Sequence, residues 1–343
     1  MAVHRVSFQA MKNDGPKLRL GVVGVGTMGQ HHVRVLAQSP GVVLAGLYDP
    51  DADRAEEICR RHDCRSARSL DELLDRSDAV TIAAPTSLHA EIGEKCLKRG
   101  LHVLMEKPLA HSAEAGEPLV DLARKAGVVL MVGHIERYNP AIVKMFEMLG
   151  SKQEPIISMD FRRLAPFDGS RCLDVDVLHD LLIHDVDLAL ELADSPVARV
   201  SATGRPVFSG QNDVAHTLVE FENGTVAVFW TAKCSPKKMR TITVATRSRL
   251  ITADTLDRSL TVCFAEQLPV MEDGICFMSD IKSADIPVSD EEPLRNEIQD
   301  FLRSVEQGSQ PVVSGERALR CLRLLETVAE CLRRPGSPAK KDG

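Results

Sequence analysis

The chain has 343 residues, 44% of them hydrophobic, with a formal net charge of −7 and a pI near 5.9. That length can hold two domains with sizeable cores. The acidic balance argues against a general nucleic-acid surface, and no apolar run is long enough to span a bilayer.

Residues 1–16 lack the apolar core of a signal peptide and read as a flexible leader. The polar tail 335–343 reads the same way. The nine cysteines are odd in number and contain no CxxC pair, which fits reduced thiols in the cytoplasm. Cys59 and Cys64 are close, but no second ligand pair accompanies them, so no metal is expected.

The first predicted element is a short apolar strand, Leu18–Val23, of the kind covered on both faces in a parallel sheet. The glycine loop Gly24-Val25-Gly26-Thr27-Met28-Gly29 follows, then an amphipathic helix and a second apolar strand ending at Asp49. This is a dinucleotide-binding fingerprint in its required context. Gly24 permits the tight turn, Gly26 lets the backbone approach a pyrophosphate, and Gly29 allows close packing of helix on strand. The helix start, with Thr27 and Met28, offers N–H groups and the positive dipole end to phosphate. Asp49 stands where a carboxylate accepts the ribose hydroxyls and repels a 2′-phosphate, so NAD is expected over NADP. Arg54, the nearest basic residue, reads as a helix-surface side chain.

Helices are expected over Asp51–His62, with Asp51 as cap, and over Ser69–Asp75, Ser87–Arg99 and Ser112–Ala126. Strands are expected over Ala79–Ala84, His102–Met105 and Val128–Val132. The alternation predicts a doubly wound α/β Rossmann domain over residues 17–136. Ligands bind such sheets beyond the C-terminal strand ends, which directs attention to Pro85, Thr86 and nearby His89, to Glu106-Lys107-Pro108, and to Gly133-His134.

From residue 137 to 334 the pattern changes to an α+β domain with a large, mostly antiparallel open sheet. Its predicted strands are Ile156–Arg163, Arg199–Thr203, Ala215–Glu220, Thr225–Lys233 and Thr241–Thr246, with a hairpin turn at Glu222-Asn223-Gly224. Val175–Leu192 reads as one helical insert, and helices near Pro293–Glu306 and Gly315–Arg334 close the chain. The last helix can pack back on the first domain. One face of an open sheet often becomes a subunit interface, so a homo-oligomer, dimer or tetramer, is expected.

Four segments carry chemistry. Lys107 follows a buried strand beside the expected nicotinamide position. A lysine near that positive ring releases its proton more readily and can exchange it with a hydroxyl; the bland reading is a surface lysine. On an α-helix Asp180 and His184 are four apart and share a face, an arrangement that suits acid–base work or a structural pair. His179 and His184 are about 140° apart around such a helix and converge poorly on a metal. His134, Glu136, Arg137 and Asn139 fall where the two domains join, and could bind substrate or lock the domains. Arg162, Arg163 and Arg171 flank the loop 164–170, where they could bind phosphate or serve solubility.

Together these segments resemble the Gfo/Idh/MocA oxidoreductase family. The match runs from Leu18 to about Arg334 through VVGVGTMGQHH, AAPTSLHAE, EKP, DLLIHDVDL, FENGTVA and EPLRNEIQDF. The resemblance implies NAD(P)-dependent oxidation of a sugar or cyclitol hydroxyl. It implies that Lys107 and His184 are catalytic with Asp180 as helical partner, and that Pro85, Thr86 and Glu106 meet the cofactor. GHIERYNPAI, FRRLAPFDGSR and DVDVLHDLLIHDVDLAL look like a narrower group, the UDP-N-acetylglucosamine 3-dehydrogenases. That likeness implies a nucleotide-sugar substrate, held by Arg137, Asn139, Arg163 and Arg171 along with Lys107, Asp180 and His184. It also implies a partner aminotransferase for the 3-keto product, as in amide-linked lipid A. Tyr138 departs from the phenylalanine more usual in that group. Two alternatives remain: a myo-inositol or simple-sugar dehydrogenase, and a non-catalytic NAD-binding regulator.

Overall fold

Short runs of buried, mostly branched residues set the first third of the chain into a parallel sheet. The computed structural model describes residues 17–152, 154–168, 176–265, 270–272, 275–277 and 281–333, so the expected leader and the expected tail lie outside it. The chain folds into two compact units. One takes residues up to Tyr138 together with Glu291–Arg323, and the other Asn139–Asp290 together with residues from Leu324.

In the first unit the elements are β1 (Leu18–Val23), α1 (Thr27–Ala37), β2 (Val42–Tyr48), α2 (Ala52–His62), α3 (Leu70–Leu74), β3 (Ala79–Ile82), α4 (Thr86–Lys98), β4 (His102–Glu106), α5 (Ala113–Ala126) and β5 (Leu130–Gly133). All strand pairs are parallel, in the order β2-β1-β3-β4-β5. The order reverses at β1, and the glycine loop leaves the C-terminal end of that strand, where such sheets bind ligands. The caps follow the sequence signals. Asp51 accepts a hydrogen bond from the Arg54 backbone N–H and Ser112 accepts one from Ala115. Gly127, at φ 66°, ends α5 in the left-handed conformation. Leu20, Val22, Leu73, Val80, Ile82, Val103 and Met105 form the core with Ile298 and Phe301 from the later helix Pro293–Gln307. Each such side chain contributes about 1.5–3 kcal/mol by leaving water.

The second unit begins with α6 (Pro140–Lys152) and β6 (Ile156–Leu164) and continues with α7 (Ile183–Ala193), β7 (Val197–Arg205), β8 (Val214–Phe221), β9 (Val226–Ala232), β10 (Met239–Thr246), β11 (Arg249–Asp254) and β12 (Ser259–Ala265). After β13 (Val270–Glu272) and β14 (Ile275–Phe277), which pair only with each other, β15 (Ile281–Asp285) completes an eight-stranded sheet. Its order is β15-β12-β11-β10-β6-β9-β8-β7, antiparallel except for β6 with β9. The chain closes with α8 (Pro293–Gln307) and α9 (Gly315–Arg333). Beyond Thr246 the sequence reading expects no further strand, only the two closing helices, whereas the sheet continues through β11, β12 and β15. The hairpin signal is weak there, since the turn after β11 places Arg258, not glycine, at φ 52°. No described helix is long and apolar enough to cross a membrane.

Period-two alternation gives this sheet two unlike faces. Met159, Phe161, Ala227, Phe229, Val244 and Ile251 are buried, on the side packed by α6 and α7. On the other side Val228, Trp230 and Leu250 are about two-fifths exposed, at 39%, 40% and 44%. Trp230 stacks there on its cross-strand neighbour His216, ring centroids 5.8 Å apart.

Candidate active site

The glycine loop has the stereochemistry its sequence requires. Gly24 sits at φ +85°, and a Cβ there would come within 2.8 Å of the Ala83 carbonyl oxygen. A Cβ on Gly29 would lie 1.9 Å from the Gly24 carbonyl oxygen. Gly26 differs, because apart from its chain neighbours no atom of the described residues lies within 4 Å of the Cβ it lacks. None of the described residues demands glycine at that position, which leaves open space for whatever approaches the loop. Gly26 also begins α1 without any side-chain cap, and Thr27 and Met28 beside it are exposed. Open space at an uncapped helix start fits the pyrophosphate of a dinucleotide.

Asp49 is fixed beside that loop. One carboxylate oxygen accepts from the Val25 N–H at 2.8 Å. The other accepts from the Asp51 N–H at 2.9 Å and from the Arg54 guanidinium at 2.7 Å. Burial pushes the Asp49 pKa up, but the Arg54 bond and the two backbone donors outweigh it and hold the carboxyl below its usual range. Arg54 lies on the surface of α2 as expected, its side chain 42% exposed, and also turns back to Asp49. An arginine in the first turn after the fingerprint acid was the available signal.

At the ends of β3 and β4, Pro85 starts α4 and Thr86 is half-buried. Glu106 and Lys107 are half-buried in a run that is otherwise buried from Val103 to Ala110. The Lys107–Pro108 bond is cis. Glu106 accepts from His32 Nε2 at 2.9 Å and from the Lys107 N–H at 3.2 Å. Burial raises the Glu106 pKa, and His32 and Lys107 more than reverse that, leaving it lowered. His89, expected to meet the cofactor, is corrected to a supporting role. It is buried, with Nδ1 2.7 Å from the Pro108 oxygen and Nε2 2.9 Å from the Ala84 oxygen. The ring thus sits between the carbonyls of the two loops, with one nitrogen against each.

In the second unit the predicted single helix is broken in kind. Leu178–Leu182 forms a π-turn and the α-helix starts only at Ile183. The α-helical spacing assumed for Asp180 and His184 therefore does not apply across it. Asp180 is an ion-pair partner of Lys233 on the strand side, at 3.2 Å. His179 bonds Asp176 at 2.8 Å. From Leu181 to Leu190 every residue is buried except His184, which is half-buried. An otherwise buried helix thus presents one imidazole.

The expected substrate residues divide. Asn139 spends both ends of its amide internally: Oδ1 accepts from the Ala141 N–H at 3.1 Å, and Nδ2 donates to the Thr255 oxygen at 3.0 Å. It caps α6 rather than facing a ligand. Arg137 is buried within a 3₁₀ turn, Ile135–Tyr138. Arg163 is corrected too. It is 2% exposed and lies on the core face of β6, its guanidinium bonded to the Asp185 carboxylate at 2.7, 2.9 and 3.0 Å. Its neighbour Arg162 is the exposed one. Arg171 lies outside the described residues.

A Gfo/Idh/MocA profile described as an oxidoreductase family with an NAD-binding Rossmann fold matches residues 18–134, and the profile of its C-terminal domain matches residues 157–250. UDP-N-acetylglucosamine 3-dehydrogenase of Acidithiobacillus ferrooxidans is 33% identical over 309 residues, 88% of this chain and 94% of that protein. A solved structure of it superposes with a TM-score of 0.85 at 30% identity, covering 93% of this chain and 98% of that one. The NAD⁺-dependent scyllo-inositol 2-dehydrogenase of Bacillus subtilis is 29% identical over 64% of this chain and 68% of its own.

Proposed function

Because the chain belongs to the Gfo/Idh/MocA family of NAD-binding oxidoreductases, we propose that it oxidises the 3-hydroxyl of UDP-N-acetylglucosamine to the 3-keto nucleotide sugar. One observation carries this reading: likeness to the Acidithiobacillus enzyme extends over nearly the whole of both chains, whereas the inositol dehydrogenase matches about two-thirds. The C–H hydrogen leaves as hydride, the hydroxyl hydrogen leaves as a proton, and a carbonyl remains. Bound NAD supplies the hydride acceptor.

The chain's own residues do the rest. Gly26 and the start of α1 hold the pyrophosphate, and Asp49 accepts from the adenosine ribose. Pro85, Thr86 and Glu106 border the nicotinamide end. Lys107 and His184 are the groups that take the hydroxyl proton, with Asp180 and Lys233 setting the charge of the π-turn before His184. The ketone produced has the functional group an aminotransferase consumes, which supports a position before amination in a 3-amino-sugar route of the lipid A type. The seven cysteines whose side chains are described are free thiols, which accords with the cytoplasm.

Incubation with a panel of UDP-sugars and free polyols tests the assignment, read as NADH absorbance and product mass. UDP-N-acetylglucosamine should lose two hydrogens, and NAD should support faster turnover than NADP because the Asp49 carboxylate repels a 2′-phosphate. Turnover of myo-inositol alone would overturn the nucleotide-sugar reading. That second reading has one structural support: Arg163, expected to grip a diphosphate, points into the core instead.

The exposed face around Trp230 supports self-association into a dimer or tetramer, since a partly apolar sheet face gains by leaving water. Trp230→Glu should then lower the mass measured by light scattering to that of one chain. A wild-type monomer at micromolar concentration would remove the proposal.

A further inference from the structure

Behind Glu106 the first unit buries an acid that the chemistry above does not use. Glu297 on α8 is 0% exposed, and neither of its carboxyl oxygens has a hydrogen-bond partner among the described residues. One side-chain donor atom from each of His32, Glu106 and Glu297 lies within 4.8 Å of the other two. The groups facing Glu297 come from several elements: His32 on α1, Glu106 at the end of β4, Tyr138 in the 3₁₀ turn and Asp300 on α8. Asp300 is itself held by the Tyr138 hydroxyl at 2.8 Å, the Val312 N–H at 2.8 Å and Arg303 at 3.0 Å. Lys107 adds its charge on the Glu106 side.

Two carboxyl groups this close, Glu297 fully buried and Glu106 half-buried, cannot both ionise without strong repulsion, so one keeps a proton. The donors are distributed unequally. Glu106 has His32 Nε2 and the Lys107 N–H, and His32 is oriented by Thr81, whose hydroxyl lies 3.0 Å from Nδ1. Glu297 has none of these. We propose that Glu297 holds the proton at neutral pH and is a positioning residue: uncharged and packed behind Glu106, it leaves Glu106 as the carboxylate that seats the Lys107 backbone. The activity arm of this proposal rests on Lys107 acting in catalysis, whereas the proton arm does not.

The proton has a measurable signature. An unfolded chain releases it near the ordinary glutamate pKa of about 4.3, while the folded chain retains it. Wild-type stability therefore falls as pH rises above that value, up to the pH at which the folded group also ionises. Glu297→Gln imitates the protonated acid and lacks this penalty. Its melting temperature should match wild type near pH 4 and exceed it by a margin that grows toward pH 8. An infrared difference spectrum, wild type minus Glu297→Gln at pH 7, should contain the C=O stretch of a protonated carboxyl.

For activity, Glu297→Ala should lower kcat roughly tenfold or more by loosening the Lys107 turn, and Gln should recover most of that loss. A melting difference independent of pH, or an absent protonated-carboxyl band, would overturn the proposal. So would one equivalent of zinc or manganese bound by wild type and lost in Glu297→Gln, which would make the cluster a metal site. If the nucleotide-sugar assignment alone is wrong, the melting and infrared results still stand.

Discussion

Lys107→Met lowers kcat by roughly 10²–10⁴-fold, the range typical of losing a proton-transfer group, while NAD binding, read by fluorescence titration, stays near wild type. Methionine keeps the length and apolar stem of the side chain, and Lys107 is only half-buried, so the Glu106-Lys107-Pro108 turn retains its packing. What disappears is one nitrogen able to exchange a proton. His184→Asn should produce a loss of similar size, because asparagine fills part of the imidazole's space but cannot take the proton. Unchanged melting temperatures in both variants would separate chemistry from folding. If the two groups act together, the double variant loses little more than either single one, as residues working as a unit do. Near wild-type turnover in either single variant removes that residue from the mechanism.

Much of the first unit was legible because its signals are local. Gly24 and Gly29 are glycines for reasons set by atoms a few ångströms away. Asp51 and Ser112 cap helices that begin at the next residue, and the fingerprint acid lies at its expected place. What could not be read depends on partners distant in sequence. Glu297 is a helical residue whose importance comes from Glu106, nearly two hundred positions earlier. The strands β11, β12 and β15 at one end of the sheet exist because a neighbouring strand offers hydrogen bonds, and the turn between β11 and β12 carries no glycine. The π-turn at Leu178–Leu182 defeats spacing arguments that assume 3.6 residues per turn.

Arg163 is a different case, since the signal was present and was outweighed by composition. It has the same strand parity as Met159 and Phe161, which point into the core. Period two therefore places Arg162 outside and Arg163 inside. Two adjacent arginines before a loop look like a phosphate grip only if that alternation is set aside.

That inward arginine supports the second large prediction. Asp185→Ala should destabilise the second unit by about 3–5 kcal/mol, because it removes the carboxylate to which a buried guanidinium donates. Arg163 and Asp185 are each 2% exposed at their side chains, so water cannot replace the lost bonds. The protein carries its own reporter: its one tryptophan, Trp230, pairs in register with Arg162 on the neighbouring strand. Its fluorescence during urea denaturation follows this sheet rather than the Rossmann unit. A paired replacement, Arg163→Met with Asp185→Leu, should regain most of the lost stability, since apolar residues of similar volume avoid the desolvation cost of both charges.

Turnover should not return to the same extent. Asp185 adjoins His184 on α7, and the three hydrogen bonds from Arg163 fix the rotation of that helix against β6. Apolar packing restores contact without restoring direction, and a small misplacement of a proton-transfer group can cost a large factor in rate. If stability and kcat recover together in the paired variant, the ion pair serves packing alone; if stability recovers and kcat lags, it aims His184.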